Sequence, residues 1–383
     1  MKIGIEAQRI FRVKKHGMDI ATLEFIKALQ KIDKVNEYFI YINPDEDSSC
    51  LNETKNFKIR LIKGYYPIWE QIYLPKAVKN DNCQLLHCTS NTSPVFISVP
   101  LIVTLHDIIY LEKSIKNIIT GKGTNYQKFG NLYRRFIIPQ IIKSSSKIIT
   151  VSESEKLKIV NLFSLSEDKI KVIYNGVSSY FKKVTDKDEL IRVKEKYNIP
   201  EKFFLFIANT DPKKNTNGML KAMALYLLKG GENTPLFVVD IERKYVVKIL
   251  NEINENNLID KLILTNYIPN NDLPAIYSLA SLFIYPSLRE SFGIPILEAM
   301  ACGTPVITSN TSSMPEVAGD AAFLTDPYNP EEIADAMFEL LNNNILQKSF
   351  VDKGYIRSAK FTWASMAEQM LAEYTQIITN TIS

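Results

Sequence analysis

Short apolar runs alternate with stretches of helical periodicity along most of the chain. Runs at 2–7, 38–43, 57–63, 84–90, 101–107, 147–152 and 171–174 read as strands, and apolar residues three and four apart at 18–32 and 126–143 read as helices among them. A charged stretch at 181–201, with Lys182, Lys183, Asp186, Lys187, Asp188 and Glu189, breaks the pattern and is expected to be irregular. The alternation resumes at 203–209, 236–240, 262–267, 282–286 and 305–309, with a helix expected at 216–228. Strands that alternate with helices predict parallel sheets, so the fold class is α/β and doubly wound. Two domains follow, 1–180 and 190–360, with a linker near 178–190 and a last helix at 363–379.

Composition agrees with that division. The 383 residues are 46% apolar and 23% charged, which suits two ordered domains and excludes a disordered chain. Four cysteines (Cys50, Cys83, Cys88 and Cys302) are too few for a disulfide framework, and a reducing compartment is expected. Glu6 and Arg9 end the first apolar run before it could act as a signal peptide, so the expected location is cytoplasmic. The net charge of +4 is unevenly spread: residues 1–180 hold 26 Lys and Arg against 17 Asp and Glu, and the remainder hold 20 against 25. A basic half can serve a membrane surface, a phosphorylated lipid or a nucleic acid, but charge alone favours a solvated Lys-rich surface.

In open parallel sheets ligands bind beyond the carboxyl ends of the strands. The richest such segment runs from Tyr285 to Ile307. A strand leads into a loop, and a helix is expected to open near Ile294 with Pro295 in its first turn. Gly293 would let a ligand approach the backbone, and the helix start offers free N–H groups and a positive dipole end, an anion site. Glu290 lies before that helix and Glu298 about one turn inside it. Taken singly, these residues have ordinary readings as a turn glycine and surface carboxylates. Lys213 and Lys214 precede the 216–228 helix, where paired lysines either neutralise a diphosphate or form a solvated face. Three histidines exist: His106 beside Asp107 at a strand end, His87 on another strand with a side chain that could line an acceptor, and His16 beside Gly17. Cys83, His87 and Cys88 lack a fourth ligand and alternate across a strand, so no zinc site is expected.

Together these residues carry a resemblance. Glu290 and Glu298 within this wording, continued by 301–307 and by 314–322, resemble the Glu-x7-Glu motif of the retaining glycosyltransferases of the family-4 type, glycosyl transferases group 1. That family implies GT-B architecture: two facing Rossmann-like domains with an interdomain cleft, the last helix crossing back onto the first. It implies that Glu290 approaches the donor sugar and Glu298 holds the ribose hydroxyls. Backbone groups of Ser291, Phe292, Gly293 and Ile294 would contact sugar and phosphate. Lys213, where the family often has Arg, and Lys214 would stabilise the leaving diphosphate. His106, oriented by Asp107, would hydrogen-bond the sugar, Gly17 would lie near the phosphate, and the backbone at Ile268 would meet the base.

The expected function is therefore retaining transfer from a nucleotide-diphosphate sugar to a hydroxyl of a glycan, lipid-linked or other acceptor, in cell-surface polysaccharide or glycoconjugate synthesis. His106, Glu290 and Lys214 are the expected catalytic residues, with no cofactor beyond the donor co-substrate and no metal. Asp45-Glu46-Asp47 and Asp186-Lys187-Asp188 have the Asp-x-Asp spelling of metal-dependent transferases but sit in polar segments. A sugar-nucleotide epimerase, a glycan phosphorylase and a non-catalytic partner subunit are the alternatives. No nucleic-acid partner is expected. The 126–143 helix, which mixes Arg134, Arg135 and Lys143 with aromatics, reads as a packing helix with a basic outer face, or as a contact with anionic membrane at the inner face.

Overall fold

The computed structural model describes residues 1–112 and 125–382, with all of their side chains except those of 125–128 and 382. The chain divides into two compact units, residues 1–176 together with 363–383, and residues 177–362.

Unit 1 is built on seven parallel strands: β1 (Lys2–Glu6), β2 (Glu37–Ile42), β3 (Phe57–Leu61), β4 (Leu85–Cys88), β5 (Leu101–Thr104), β6 (Lys147–Thr150) and β7 (Ile170–Val172). Their spatial order is β3-β2-β1-β4-β5-β6-β7, which reverses between β1 and β4. Ile3 of β1 lies opposite Tyr38 of β2 on one side and Leu85 of β4 on the other. The central strands are buried on both faces, as crossover helices require. The Gly17–Ile32 and Trp363–Ile382 helices pack together. Trp69, Leu74, Ile138 and Ile141 belong to the core that fills another part of the unit.

Unit 2 has six parallel strands: β8 (Phe204–Ile207), β9 (Leu236–Val239), β10 (Leu262–Leu264), β11 (Leu282–Tyr285), β12 (Val306–Ser309) and β13 (Phe323–Thr325). The order β10-β9-β8-β11-β12-β13 reverses between β8 and β11. β13 has no counterpart in the sequence pattern, whose last strand is the run at 305–309.

The stretch at 181–201 is not wholly irregular: Lys187–Lys196 is a helix. Asp186 caps it, its carboxylate accepting from the N–H of Asp188 (3.0 Å) and of Glu189 (3.4 Å). Only Val193 of this helix is buried, so the apolar period is nearly invisible. Its anchor is polar instead: Arg192, Lys196 and Tyr197 converge on the Asp272 carboxylate at 2.6, 2.7 and 2.6 Å. The 126–143 helix runs from Asn125 to Ser144 and buries Ile138, Ile141 and Ile142. The side chains of Tyr126 and Lys128 lie outside the described residues. Among the described residues, no helix is long and apolar enough to cross a membrane.

Candidate functional site

The point of strand reversal in unit 2 leaves a crevice beyond the carboxyl ends of β8 and β11. After β8, Asp211 caps a single turn, Pro212–Lys214, accepting from the Lys213 N–H at 3.1 Å. Asn215 follows in the left-handed region at φ 58°. Its carbonyl oxygen Oδ1 accepts from the Gly218 N–H at 3.2 Å, opening the Thr216–Leu228 helix. Its Nδ2 donates to the carbonyls of Pro286 (3.0 Å) and Pro327 (2.6 Å). One side chain thus ties together the loops that follow β8, β11 and β13. The Leu288 N–H closes the arrangement on the Lys213 carbonyl at 2.7 Å.

Within this frame Lys214 Nζ donates to Glu290 Oε1 and to the Tyr285 hydroxyl, both at 2.6 Å, and that hydroxyl donates to Glu290 Oε1 at 2.9 Å. The ammonium also sits 4.7 Å from the centre of the Tyr285 ring. The Lys214 and Glu290 side chains are only 13% and 11% exposed. Burial alone would raise the Glu290 carboxyl, but the charges of Lys214 and Lys213 and the two hydrogen bonds outweigh it and hold it below its usual range. Glu290 is therefore an anion. Its carbonyl is fixed by the hydroxyls of Ser312 (2.6 Å) and Ser313 (2.9 Å). Lys213 forms no ion pair among the described residues.

Gly293, at φ 106°, turns the chain into the Ile294–Ala301 helix, with Pro295 in the first turn. A side chain there would be strained by that φ alone. Ser291 is partly exposed at the loop, whereas the Phe292 ring is buried against Phe361, which leaves backbone as its means of meeting a ligand. Glu298, one turn into the helix, accepts from the Tyr277 hydroxyl at 3.0 Å. Burial pushes its carboxyl up to about 7, and that hydrogen bond offsets only part of the rise. Ile268 is buried, so only its backbone can face a ligand. Lys213, Lys214, Glu290 and Gly293 all lie in the loops after β8 and β11.

The candidates of unit 1 lie by its own strand reversal. His106 follows β5, and its Nε2 stands 3.0 Å from the Thr89 carbonyl, so Nε2 carries the proton. Burial pushes its pKa down, which makes the ring neutral with Nδ1 as an acceptor. A sugar hydroxyl would thus donate to His106, which has no second proton to offer. Asp107 does not orient the ring; its carboxylate accepts from the Ile109 N–H at 3.3 Å, and the Thr89 carbonyl holds the imidazole instead. His87 does not line an acceptor face. Its ring is buried between the Tyr374 hydroxyl (2.6 Å) and Thr104 Oγ1 (2.8 Å), with its pKa pushed down to about 3 by burial. Gly17 is the exposed first residue of its helix, with open space where a Cβ would stand.

Asp47 pairs with Lys15, and Asp186 caps its helix, so both Asp-x-Asp spellings have structural employment. Among the described residues no three His, Cys, Asp or Glu side chains gather as metal ligands would. Sequence reasoning missed Tyr285, Tyr277, Asn215 and the Ser312–Ser313 pair. For Tyr285 a signal existed: a tyrosine closing an otherwise apolar strand places a hydroxyl at the carboxyl end of the sheet.

A family model described as glycosyl transferases group 1 matches residues 187–357, and one described as glycosyltransferase family 4 matches residues 17–179. The O-antigen chain mannosyltransferase B of Escherichia coli is 30% identical over 244 residues, 63% of this chain and 64% of that protein. The O-antigen chain mannosyltransferase RfbU of Salmonella typhimurium is 28% identical over 360 residues, 87% of this chain and 92% of that protein. The chain spans only 31% of the length of the serotype-specific mannosyltransferase WbdA of Escherichia coli, which it matches at 28% identity over 64% of its own length. Among solved structures, Anabaena HepE in complex with UDP and glucose superposes with a TM-score of 0.75 at 19% identity, covering 98% of this chain and 99% of that one. WaaG, a glycosyltransferase involved in lipopolysaccharide biosynthesis, superposes at 0.71 with 14% identity, covering 96% and 98%. Likeness at such identities establishes the fold, GT-B, built here of two parallel α/β units.

Proposed function

Because the chain belongs to the glycosyltransferases of group 1 and family 4, we propose that it is an enzyme that moves a hexosyl group from a nucleotide-diphosphate sugar to a hydroxyl of a growing surface polysaccharide, with retention at the anomeric carbon. The observation that carries this reading is the buried Lys214–Glu290–Tyr285 contact, set at the carboxyl ends of β8 and β11 beside a helix start. Lys214 is a preorganised cation, desolvated and held by two partners, suited to charge that develops on a departing diphosphate. The amides at the start of the Ile294–Ala301 helix add to that field. Glu298 supplies an acceptor for the ribose diol.

The proposed route to retention does not use Glu290 as a nucleophile. A carboxylate that accepts from an ammonium and a phenol on one oxygen has low basicity, and a weak base is a weak nucleophile. Glu290 instead places a fixed negative charge near a sugar that becomes cationic as the bond to phosphate breaks. Attack from the face of the departing phosphate, with that phosphate taking the acceptor proton, needs no protein nucleophile. Lysine and helix amides supply the charge that a metal ion would otherwise bring, so the proposed reaction is metal-independent.

The test is a panel of nucleotide-diphosphate hexoses incubated with a glycan acceptor, with mannose donors first because the relatives are named mannosyltransferases. Release of nucleoside diphosphate should accompany transfer, and NMR should show the donor's anomeric configuration in the product. An inverted product would overturn the mechanism. Consumption of inorganic phosphate, or a donor epimerised without transfer, would favour the other enzymes of this architecture.

A further inference from the structure

We infer that unit 2 carries a self-complementary face, the outward side of the Asn344–Ser358 helix, through which two copies of this chain pair around a two-fold axis. Packing settles which side of the helix is inward. A Cβ on Gly354 would come within 3.2 Å of Met300 in the Ile294–Ala301 helix, and Leu346 and Phe350 rest on the core of the unit. Directly opposite Gly354, at intervals of three and four residues, stand Ile345, Lys348, Ser349, Asp352, Lys353 and Ile356. Ile345 is 85% exposed and Ile356 is 65% exposed. The outward side of a solvated helix is ordinarily polar, so isoleucines at both ends of one stripe suit an apolar partner.

The stripe fits a second copy of itself. Two such helices are laid antiparallel, with the two-fold axis passing between positions 350 and 351. Ile345 then comes level with the second copy's Ile356, Lys348 with its Asp352, and Ser349 with its Lys353, each to within about one residue of rise, ~1.5 Å. Around the helix, Lys348 and Asp352 lie on one side of the line of isoleucines, and Ser349 and Lys353 lie on the other. A two-fold axis across an antiparallel pair sets each side against its like. Lys348 therefore never opposes Lys353, and every contact occurs twice, as an isologous interface demands.

Charge complementarity selects this occupant. Lys348 and Asp352 stand one turn apart and are exposed, yet neither forms an ion pair or a hydrogen bond among the described residues. Each is thus available to the other across the axis. Lys353 is already paired within its own chain, 3.0 Å from Asp320, so its side of the seam carries little net charge. From Ile345 to Ile356 the seam is about 17 Å long. That is short beside the interface of a permanent dimer, so the pairing is weak and depends on concentration.

Sedimentation equilibrium of the full chain at about 0.15 M salt, over roughly 10–300 µM protein, tests this. The parent should pass reversibly from monomer to dimer within that range. Ile345→Ser with Ile356→Ser should raise the dissociation constant by about tenfold or more. Lys348→Glu alone and Asp352→Lys alone each set like charges across the seam and should raise it several-fold. Mixing those two single variants in equal amounts restores opposite charges at every contact. Pairing should then return to near the parent's strength, and more fully at low salt. Val35→Ser, on a 90%-exposed residue of unit 1, should change nothing. Thermal melts by circular dichroism should match the parent, since every altered side chain is solvated. A chain that stays monomeric throughout, or a dimer indifferent to the charge variants and to their mixing, overturns the inference. No donor or transfer enters the readout, so such a failure would leave the proposed reaction standing.

Discussion

Replacing Glu298 by Gln should make the protein more stable at pH 8 while changing it little at pH 5. In the folded chain burial holds this carboxyl at about 7, against an ordinary value of 4.5. Between those values the folded state keeps a proton that the unfolded chain releases, so the stability contributed below pH 4.5 drains away as the pH rises through 7. The full displacement corresponds to ~3 kcal/mol at pH 8, and partial exposure of the side chain screens this to about 2 kcal/mol. At pH 5 less than about 1 kcal/mol is in play. The amide of the Glu298→Gln variant never ionises, so that protein escapes the cost, and for a unit of this size Tm should rise by about 4–8 °C at pH 8. The same substitution removes the acceptor for the ribose diol and should weaken donor binding by ~1.5–3 kcal/mol in titration calorimetry. Parent affinity for donor should tighten from pH 6 to 8 as the carboxylate form becomes available. A gain in Tm of equal size at both pH values would mean that packing, not ionisation, separates the two proteins, and a loss at pH 8 would refute the reasoning outright.

Lys214→Ala should depress turnover by ~100-fold or more while weakening donor binding far less, because its charge matters most as the diphosphate departs. Lys214→Arg should recover only part of that rate, and a variant that raises the donor KM with turnover intact would reduce Lys214 to a binding contact. Asp272→Asn should lower stability at pH 7, since Arg192, Lys196 and Tyr197 lose their common carboxylate. These partners outweigh burial and hold Asp272 at about 2 instead of 3.8, so its contribution is complete above 3.8 and lost as pH falls through 2. Acid melts should therefore show the two proteins converging toward about pH 2.5, and a gap as wide there as at pH 7 would count against this account. Activity should survive EDTA; loss that manganese or magnesium restores would bring the Asp-x-Asp segments back into consideration.

The sheet architecture was legible because parallel strands buried on both faces leave unbroken apolar runs, such as Leu282–Tyr285 and Leu101–Thr104. Elements held by polar contacts were not. The Lys187–Lys196 helix owes its place to Asp272, which lies far along the chain and leaves no local period. The candidate site divides in the same way. Glu290, Glu298 and Lys214 carry charge in a recognisable spacing, and Gly293 needs its φ, so each leaves a mark in one dimension. Tyr285 and Asn215 act through partners up to 112 residues away, and a tyrosine or asparagine at a strand or helix end has many ordinary uses. His87 misled for the opposite reason, because its residue type suggests chemistry while the last helix, through Tyr374, encloses it.

The Asn215 clamp has a consequence for the birth of the site. During synthesis the two lysines emerge first, Glu290 follows, and the Pro327 carbonyl appears last, 112 positions after the amide that it accepts from. Until that carbonyl is in place, the loop after β8 is tied at fewer points and Lys214 is held less firmly. A nascent chain that already displays lysine, tyrosine and glutamate is thus a polyelectrolyte with local attractions, not yet a preorganised field. The clamp is complete only when β13 is in place and its following turn reaches Asn215. Premature termination just before that turn would leave each charged group of the crevice in the product, yet deprive it of the constraint that makes them act together.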